Sequence, residues 1–449
     1  MRIIIIGAGE SGRHLAAKLC ELKHDVVVID SDAEALDEVK NELDILAIEG
    51  QGASPRVLKE AEVEKADLLV AVTDRDEVNI LACVYAHAAG VPNKVARVSN
   101  MDYTSPSGAL DLRRMGVDLV VSQDEECAIA LFNNLRLPGT SEAVDLLDGR
   151  VLAVGVKVDT ESLMLRVQLK AFPEPGLLEQ IRFLAVVRGA EVLIPNGDTR
   201  FMIGDDVFLS GTPEAISDFL KWAWPELKPF GKIIIAGGSN LGLHLARLLD
   251  KTSMQVVLLE KDEERAEFCS GELSRGLVLK GDAMDRDTVE NAGSVEDAAF
   301  VAVMDGDEDN IIACLVAEKL GARFTLAKIS RPDYIPIINS LSLLDRIVNP
   351  PLSMINAILH FVRGQNVSAA SLFHKLPGEL LEVRLKARHK WTGKAIRDLD
   401  VSDGLLIAAV LRGDDVVPAT GDLVLAENDL IVVFALSDSV RKIEALFRR

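Results

Sequence analysis

Short β-branched runs alternate with amphipathic stretches through the first 135 residues. Apolar runs of strand length lie at Arg2–Ile6, Asp25–Asp30, Asp44–Glu49, Leu68–Thr73, Lys94–Val98 and Leu119–Val121. Between them apolar residues recur at helical spacing over Gly12–Leu22, Ala33–Glu42, Pro55–Glu60 and Val78–Ala89. Strands that are apolar on both faces and separated by helices predict a parallel sheet covered on both sides. The pattern returns, strand for strand, over 231–348. A further apolar helix follows each copy, at Glu125–Leu135 and Leu352–Val362, ended by Pro138–Gly139 and Arg363–Gly364. Beyond these, residues 150–222 and 380–447 read as short alternating strands with turns and a terminal helix.

The alternation is a duplication. IIIIGAGESGRHLA at 3–16 reappears as IIIAGGSNLGLHLA at 233–246, and the acid closing the next strand keeps the offset, Asp30 with Glu260. After one inserted residue Asp74 pairs with Asp305, Asp76 with Asp307, Asn79 with Asn310, Cys83 with Cys314 and Arg97 with Lys328. The small segments match as well: Arg188–Gly189 with Arg412–Gly413, Gly197–Asp198 with Gly421–Asp422, Asp205 with Asp429. A repeat this long is a whole domain copied, not a solenoid unit. The expected fold is therefore α/β: two Rossmann-like parallel-sheet domains, 1–135 and 227–363, each followed by a small α+β domain, 136–226 and 364–449. Pro225, Pro229 and Gly231 mark the joint between the halves, where a hinge is expected.

Each copy carries a glycine fingerprint between a strand and a helix. In Gly7-Ala8-Gly9-Glu10-Ser11-Gly12 the first glycine permits the turn, the second lets backbone approach a diphosphate, and the third allows close helix–strand packing. Free N–H groups and the positive helix end then face the phosphates, and Asp30 is placed to accept from the ribose hydroxyls. The second loop, Gly237-Gly238-Ser239-Asn240-Leu241-Gly242, keeps its acid, Glu260, but has Ser239 at the close-approach position. That leaves open weak binding, a different nucleotide, or none. More residues fall at the carboxyl edge of the sheet, where ligands sit in such folds. Gln51 matches Asp282 after the third strand, and Thr73–Asp74 match Met304–Asp305 after the fourth. Arg97 and Lys328 end the fifth strand as candidate phosphate contacts, or as surface charges. Asp74 reads equally as a pocket residue or a helix N-cap.

Composition narrows the function classes. A chain of 449 residues with 49% hydrophobic residues has material for several cores, whereas no apolar run approaches the roughly 20 residues of a membrane helix. The expectation is a soluble intracellular protein with no direct membrane insertion. The five cysteines are odd in number and form no CxxC, which argues against a disulfide framework or zinc site; Cys83 and Cys314 read as packing residues. The net charge of −21 disfavours nucleic acid and anionic lipid, and suits either simple solubility or a basic partner surface.

In GAGESG, VVVID, the AVTDRDEVN loop, VARVS and the RG…PNGD and RG…PATGD segments the chain resembles the RCK (regulator of K⁺ conductance, or KTN) family over essentially its full length. The resemblance implies a cytosolic gating ring, a homotetramer assembled through the Rossmann-like modules and docked beneath a TrkH-like potassium-channel subunit. It implies binding of NAD(H) and of adenine nucleotides such as ATP and ADP, without turnover. By position, Gly7, Ala8, Gly9, Glu10, Ser11 and Gly12 would hold the diphosphate and Asp30 the ribose, with Gln51, Thr73 and Asp74 lining the pocket and Arg97 reaching phosphate. Gly237, Gly238, Ser239, Asn240, Gly242, Glu260, Asp282, Asp305 and Lys328 form the second set. Some relatives carry an arginine within the glycine loop for a terminal phosphate; Glu10 and Asn240 stand there, which argues against triphosphate binding by that route. The alternative is an NAD-dependent oxidoreductase with duplicated Rossmann domains. Against it, no His–acid pair or Tyr-xxx-Lys relay stands at a strand end. A redox-sensing DNA-binding regulator fails on charge, since no basic helix pair is present.

Overall fold

The computed structural model describes residues 1–100, 103, 111–189, 191–341, 343–363, 369–372, 376, 378–387, 389–399, 404–436, 439 and 446–447. In the first copy the elements run β1 (Arg2–Ile6), α1 (Glu10–Glu21), β2 (Asp25–Asp30), α2 (Ala33–Glu42), β3 (Leu46–Glu49), α3 (Pro55–Glu60), β4 (Leu68–Ala71), α4 (Asp76–Ala88), β5 (Asn93–Arg97), β6 (Leu119–Val121) and α5 (Gln123–Arg136). The strands form one sheet in the order β3-β2-β1-β4-β5-β6. Every pairing is parallel. Ile3–Ile6 are at most 1% exposed because β1 is central and covered on both faces, which is why the strand is apolar at every position. The chain steps from β1 outward to β3, then back across to β4. Loops leaving β1 and β4 therefore diverge, opening a crevice at their carboxyl ends.

The first small module contains β7 (Thr140–Leu146), β8 (Val151–Lys157), α6 (Pro175–Gln180), β9 (Ile181–Arg188), β10 (Glu191–Leu193), β11 (Asp206–Gly211) and α7 (Pro213–Ala223). The second Rossmann copy follows as β12 (Lys232–Ala236), α8 (Asn240–Asp250), β13 (Gln255–Glu260), α9 (Glu263–Glu272), β14 (Leu277–Lys280), α10 (Arg286–Asn291), β15 (Ala298–Ala302), α11 (Asp307–Lys319), β16 (Phe324–Lys328), α12 (Tyr334–Leu341), β17 (Arg346–Val348) and α13 (Pro350–Arg363). Its sheet order, β14-β13-β12-β15-β16-β17, repeats the first. The last module has β18 (Ala369–Leu372), β19 (Gly378–Arg384), β20 (Leu405–Arg412), β21 (Asp415–Val417) and β22 (Leu430–Leu436). Its order β18-β19-β22-β20-β21 is that of β7-β8-β11-β9-β10, so the small modules are also one fold used twice.

The compact units cut across the sequence repeat. One unit holds Met1–Leu131 with Lys232–Val362, the two Rossmann copies; the other holds Phe132–Gly231 with Arg363–Arg449, the two small modules. Like packs with like inside each unit. Between the small modules a single buried cluster joins Leu147, Ala153 and Phe208 to Leu380, Leu411 and Phe434. The Leu147 N–H donates to buried Glu382 at 2.8 Å, and Ser210 Oγ to the Ala408 carbonyl at 3.2 Å. The 225–231 segment thus ends the small-module unit and does not divide the molecule into its sequence halves.

The helices that follow each sheet are covered within the chain: Ala128, Leu131, Leu135, Ile355, Ile358 and Leu359 are buried, and Ile129 is exposed at 43%. The Val362 side chain and Gly364 lie outside the described residues. Cys83 and Cys314 behave as packing residues: both are fully buried, their thiols donating to the Val95 and Leu326 carbonyls at 3.4 and 3.7 Å. Burial pushes the Cys83 thiol up to about 12, which keeps it protonated and unreactive.

Candidate nucleotide-binding site

The first glycine loop has the geometry its residue types demand. Gly7 sits at φ +109°, and a Cβ there would come within 3.1 Å of the Thr73 nitrogen. A Cβ on Gly12 would stand 1.8 Å from the Gly7 carbonyl oxygen, so α1 can approach the turn only with glycine there. Gly9 is different. Its backbone is extended and a Cβ would meet nothing within 4 Å, so this glycine faces open space and is not forced by the fold. No side chain caps α1. Its first N–H groups and the positive helix end face that space, a cradle fitted to a diphosphate.

Asp30 closes the other side. Its carboxylate accepts from the Ala8 N–H at 2.5 Å and the Asp32 N–H at 2.9 Å, which holds it beside the loop at the place where a ribose would lie. Thr73 packs against Gly7, and a buried asparagine organises the rest of the edge. Asn79 Oδ1 accepts from Thr73 N–H (3.0 Å) and Thr73 Oγ1 (2.7 Å), while its Nδ2 donates to the Thr73 and Arg97 carbonyls, each at 3.0 Å. One fully buried side chain therefore ties the β4 loop to the end of β5. Asn310 repeats this, bonding Met304 N–H, the Met304 carbonyl and the Lys328 carbonyl. Neither asparagine was in the expected site set, though their matched positions in the repeat were the available signal.

Arg97 ends β5 with its Nε buried and without a hydrogen-bond partner. A buried guanidinium nitrogen lacking an acceptor is costly, and a phosphate oxygen would remove the deficit. Arg97→Ala is accordingly expected to weaken nucleotide binding by roughly 10- to 150-fold, the equivalent of about 1.5–3 kcal/mol, with the fold intact. Titration calorimetry of the variant decides it, since an unchanged dissociation constant would make Arg97 a surface charge.

Asp74 is not a helix cap. The cap position of α4 is Arg75, and Asp74 stands exposed in an open cleft of about 530 Å³ with Asp76, Glu77, Ser99, Asn100 and Asn240 of the second copy. Asp76 is structural: it accepts from the Ser99 and Asn100 N–H groups, as Asp307 does from Ser330 and Arg331. Glu10, the residue after Gly9 and the first of α1, is pushed above the usual carboxylate range by burial, against the pull of His14 and Arg13 and with a smaller push from Asp307 of the other copy. Gln51 is exposed on the turn after β3, its carbonyl accepting from Ser54 N–H.

The second loop keeps the skeleton and changes the lining. Gly237 has φ +111°, and a Cβ on Gly242 would lie 2.0 Å from the Gly237 oxygen. Glu260 accepts from Gly238 N–H at 2.6 Å and Asp262 N–H at 2.9 Å, as Asp30 does in the first copy. Ser239, however, caps α8 by accepting from Gly242 N–H at 3.3 Å. Asp282 is spent on a local turn, accepting from Met284 N–H, and Asp305 is exposed before α11.

Duplicated Rossmann-like sheets with one open glycine cradle, each followed in the chain by a small-sheet module, define a class of paired two-module proteins. The TrkA-N domain model matches residues 3–123 and again 233–350, and the TrkA-C domain model matches 380–448. The structure of the GsuK RCK domain superposes with a TM-score of 0.61 over 100% of this chain and 95% of that one, at 18% identity. A Trk system potassium uptake protein TrkA of Azorhizobium caulinodans is 31% identical, covering 100% of this chain and 99% of the relative. One from Halomonas elongata matches at 31% with the same coverage. The chain belongs to the TrkA family of Trk system potassium uptake proteins.

Proposed function

We propose that this chain is the nucleotide-sensing regulatory subunit of a potassium-uptake system, with NAD(H) bound at the first glycine loop. The observation that carries the reading is the uncapped, open face over Gly9, flanked by Asp30 and the unpartnered Arg97 Nε. Gly7–Gly12 would hold the diphosphate, Asp30 the adenosine ribose and Arg97 a phosphate oxygen, with Thr73 and Asp74 beside them. The dinucleotide supplies charge and bridging contacts at this edge. No chemical step is assigned to it. A GsuK channel structure bound to NAD shares the fold, with a TM-score of 0.60, and supports this choice of ligand. ATP and ADP share the adenosine diphosphate part that the cradle fits and are the expected competitors.

NAD(H) should be preferred over NADP(H). A 2′-phosphate would meet the Asp30 carboxylate, and the following Ser31 and Asp32 bring no cation; Asp32 is committed to capping α2. Titration of both dinucleotides tests this, and equal affinity would sink the assignment of Asp30.

Output runs from the nucleotide to module geometry to a membrane partner. A ligand bridging loops at one sheet edge shifts an equilibrium only by binding one state better, and about 1–3 kcal/mol of such difference changes a population by about 5- to 150-fold. Among the described residues no helix is long and apolar enough to cross a membrane, so ion flux requires a separate subunit, proposed here as TrkH-like, with this chain peripheral at the cytoplasmic face. The net charge of −21 complements basic cytoplasmic loops. The chain is proposed to assemble as a homotetramer, with Leu81 on α4 and Ile312 on α11, repeat equivalents that are 55% and 48% exposed, as apolar positions open to such contact. Light scattering that gave a stable 48.7 kDa monomer at micromolar concentration would contradict it. The deciding experiment is potassium flux through the reconstituted membrane subunit, with and without this protein, under NADH, NAD, ATP and ADP. Identical flux in all conditions removes the regulatory reading and reopens the oxidoreductase.

A further inference from the structure

The two glycine loops differ most in what lies on them. Where the first copy has Ala35, the second has Arg265, on the first turn of α9. Its Nε donates to the Gly238 carbonyl at 2.5 Å and its Nη2 to Asn240 Oδ1 at 3.0 Å. The guanidinium carbon stands 5.0 Å from the Phe268 ring centre, which holds the group in place from its own helix. Cys269 Sγ donates to the same Gly238 carbonyl at 3.4 Å. Ser239 Oγ takes the Gly242 N–H and gives its own proton to the Val303 carbonyl at 3.3 Å. In the second loop the Gly242 N–H is therefore capped by Ser239, and Arg265 bridges the Gly238 carbonyl to Asn240 on the same loop. A diphosphate at this helix end would have to displace the Ser239 cap, and Arg265 could turn to it only by giving up the charge-assisted hydrogen bonds it already makes.

We propose that the second Rossmann copy is a self-liganded site, closed by Arg265 and Ser239, so that each chain binds one dinucleotide, at the first copy. This rests on the reading of the first loop as a nucleotide cradle. The duplication then has a division of labour: one copy senses, and the other keeps the fold with its pocket filled by its own side chains.

Calorimetric titration of the intact chain with NADH tests it. The native chain should take up one equivalent, and Arg265→Ala with Ser239→Gly, the residues of the first copy, should take up two. In a Gly9→Asp background the same pair should raise uptake from none to one. Arg265→Ala alone, a partly exposed helix position, guards against misfolding of the double variant and should bind the second equivalent more weakly, by about tenfold for each 1.4 kcal/mol left in the Ser239 cap. Two equivalents on the native chain, or one on Gly9→Asp alone, overturn the proposal. So does a double variant with native circular dichroism that still binds only one. If the native chain binds no NADH at all, the nucleotide-sensing reading itself fails and takes this inference with it.

Discussion

Gly9→Asp is expected to abolish nucleotide binding at the first loop while leaving the protein slightly more stable. Both effects come from the same atoms. A Cβ at Gly9 would meet nothing within 4 Å and its φ is −62°, so the substitution costs no steric or backbone strain. The residue is the N-cap of a helix that no side chain caps, and aspartate is among the best residues there, worth about a few tenths of a kcal/mol over glycine. The new carboxylate then occupies the space over the loop and sets a negative charge against the diphosphate. Two like charges about 4 Å apart repel by about 4 kcal/mol at the effective dielectric of a protein surface. Affinity should fall at least about 100-fold. Calorimetry and a thermal melt on one preparation separate the terms: lost binding with an equal or higher melting temperature is the expected pair. In reconstituted flux the nucleotide response should be lost with it. Unchanged affinity would show that the ligand does not lie over Gly9.

The second large effect concerns stability. Removing the buried acid of either small module, Asp205→Ala or Asp429→Ala, should cost about 1.5–3 kcal/mol, since the arginine partners stay partly exposed at 31% and 42%. Asp429 is 1% exposed and receives Arg412 in a forked pair, Nε to Oδ1 at 2.9 Å and Nη2 to Oδ2 at 2.8 Å. It also accepts from Ala426 N–H at 2.7 Å. Asp205 repeats the arrangement with Arg188 at 2.8 and 2.7 Å and Met202 N–H at 2.8 Å. Truncation leaves the guanidinium its bond to the Val424 or Arg200 carbonyl but removes its forked partner and the acceptor of a buried turn amide. The pair also sets a pH dependence. Burial alone would raise the Asp429 carboxyl, but the bonds from Arg412 and Ala426 outweigh it and hold the group below its ordinary range. Its stabilisation is therefore present above the unfolded-state value of about 3.9 and is lost as pH falls through the lower folded-state value. Chemical denaturation of native and Asp429→Ala proteins should give curves that converge in that acid window. A gap independent of pH down to full acid unfolding would mean the charge contributes nothing.

This pair illustrates how far the chain could be read from its residues. Arg188 with Arg412 and Asp205 with Asp429 were visible as repeated letters, and their common spacing marked them as a unit. What the letters meant, an internal clamp instead of a ligand contact, required seeing the acid buried. The opposite holds for Gly7 and Gly12. Their backbone roles follow from local stereochemistry, since a turn at φ +109° and a helix packed against a carbonyl admit no side chain. The structure adds only the distances.

Periodicity and duplication carried the two Rossmann-like sheets and their parallel sense, and the glycine pattern carried the turn after the first strand of each copy. Those properties depend on contacts between residues near in sequence, or on the need of an all-apolar strand for cover on both faces. Three other features depend on residues far apart in the chain. The pairing of Rossmann with Rossmann and small module with small module cuts across the order of the sequence, and no local pattern reports which surfaces meet. The apolar helices after each sheet are buried within the chain, and their own residues do not say which surfaces cover them. Arg265 is an ordinary charged letter on an amphipathic helix, and only the approach of α9 to the second loop sets its guanidinium on Gly238. That a serine replaced a glycine was legible in the sequence; that an arginine lies hydrogen-bonded on the same loop was decided by packing.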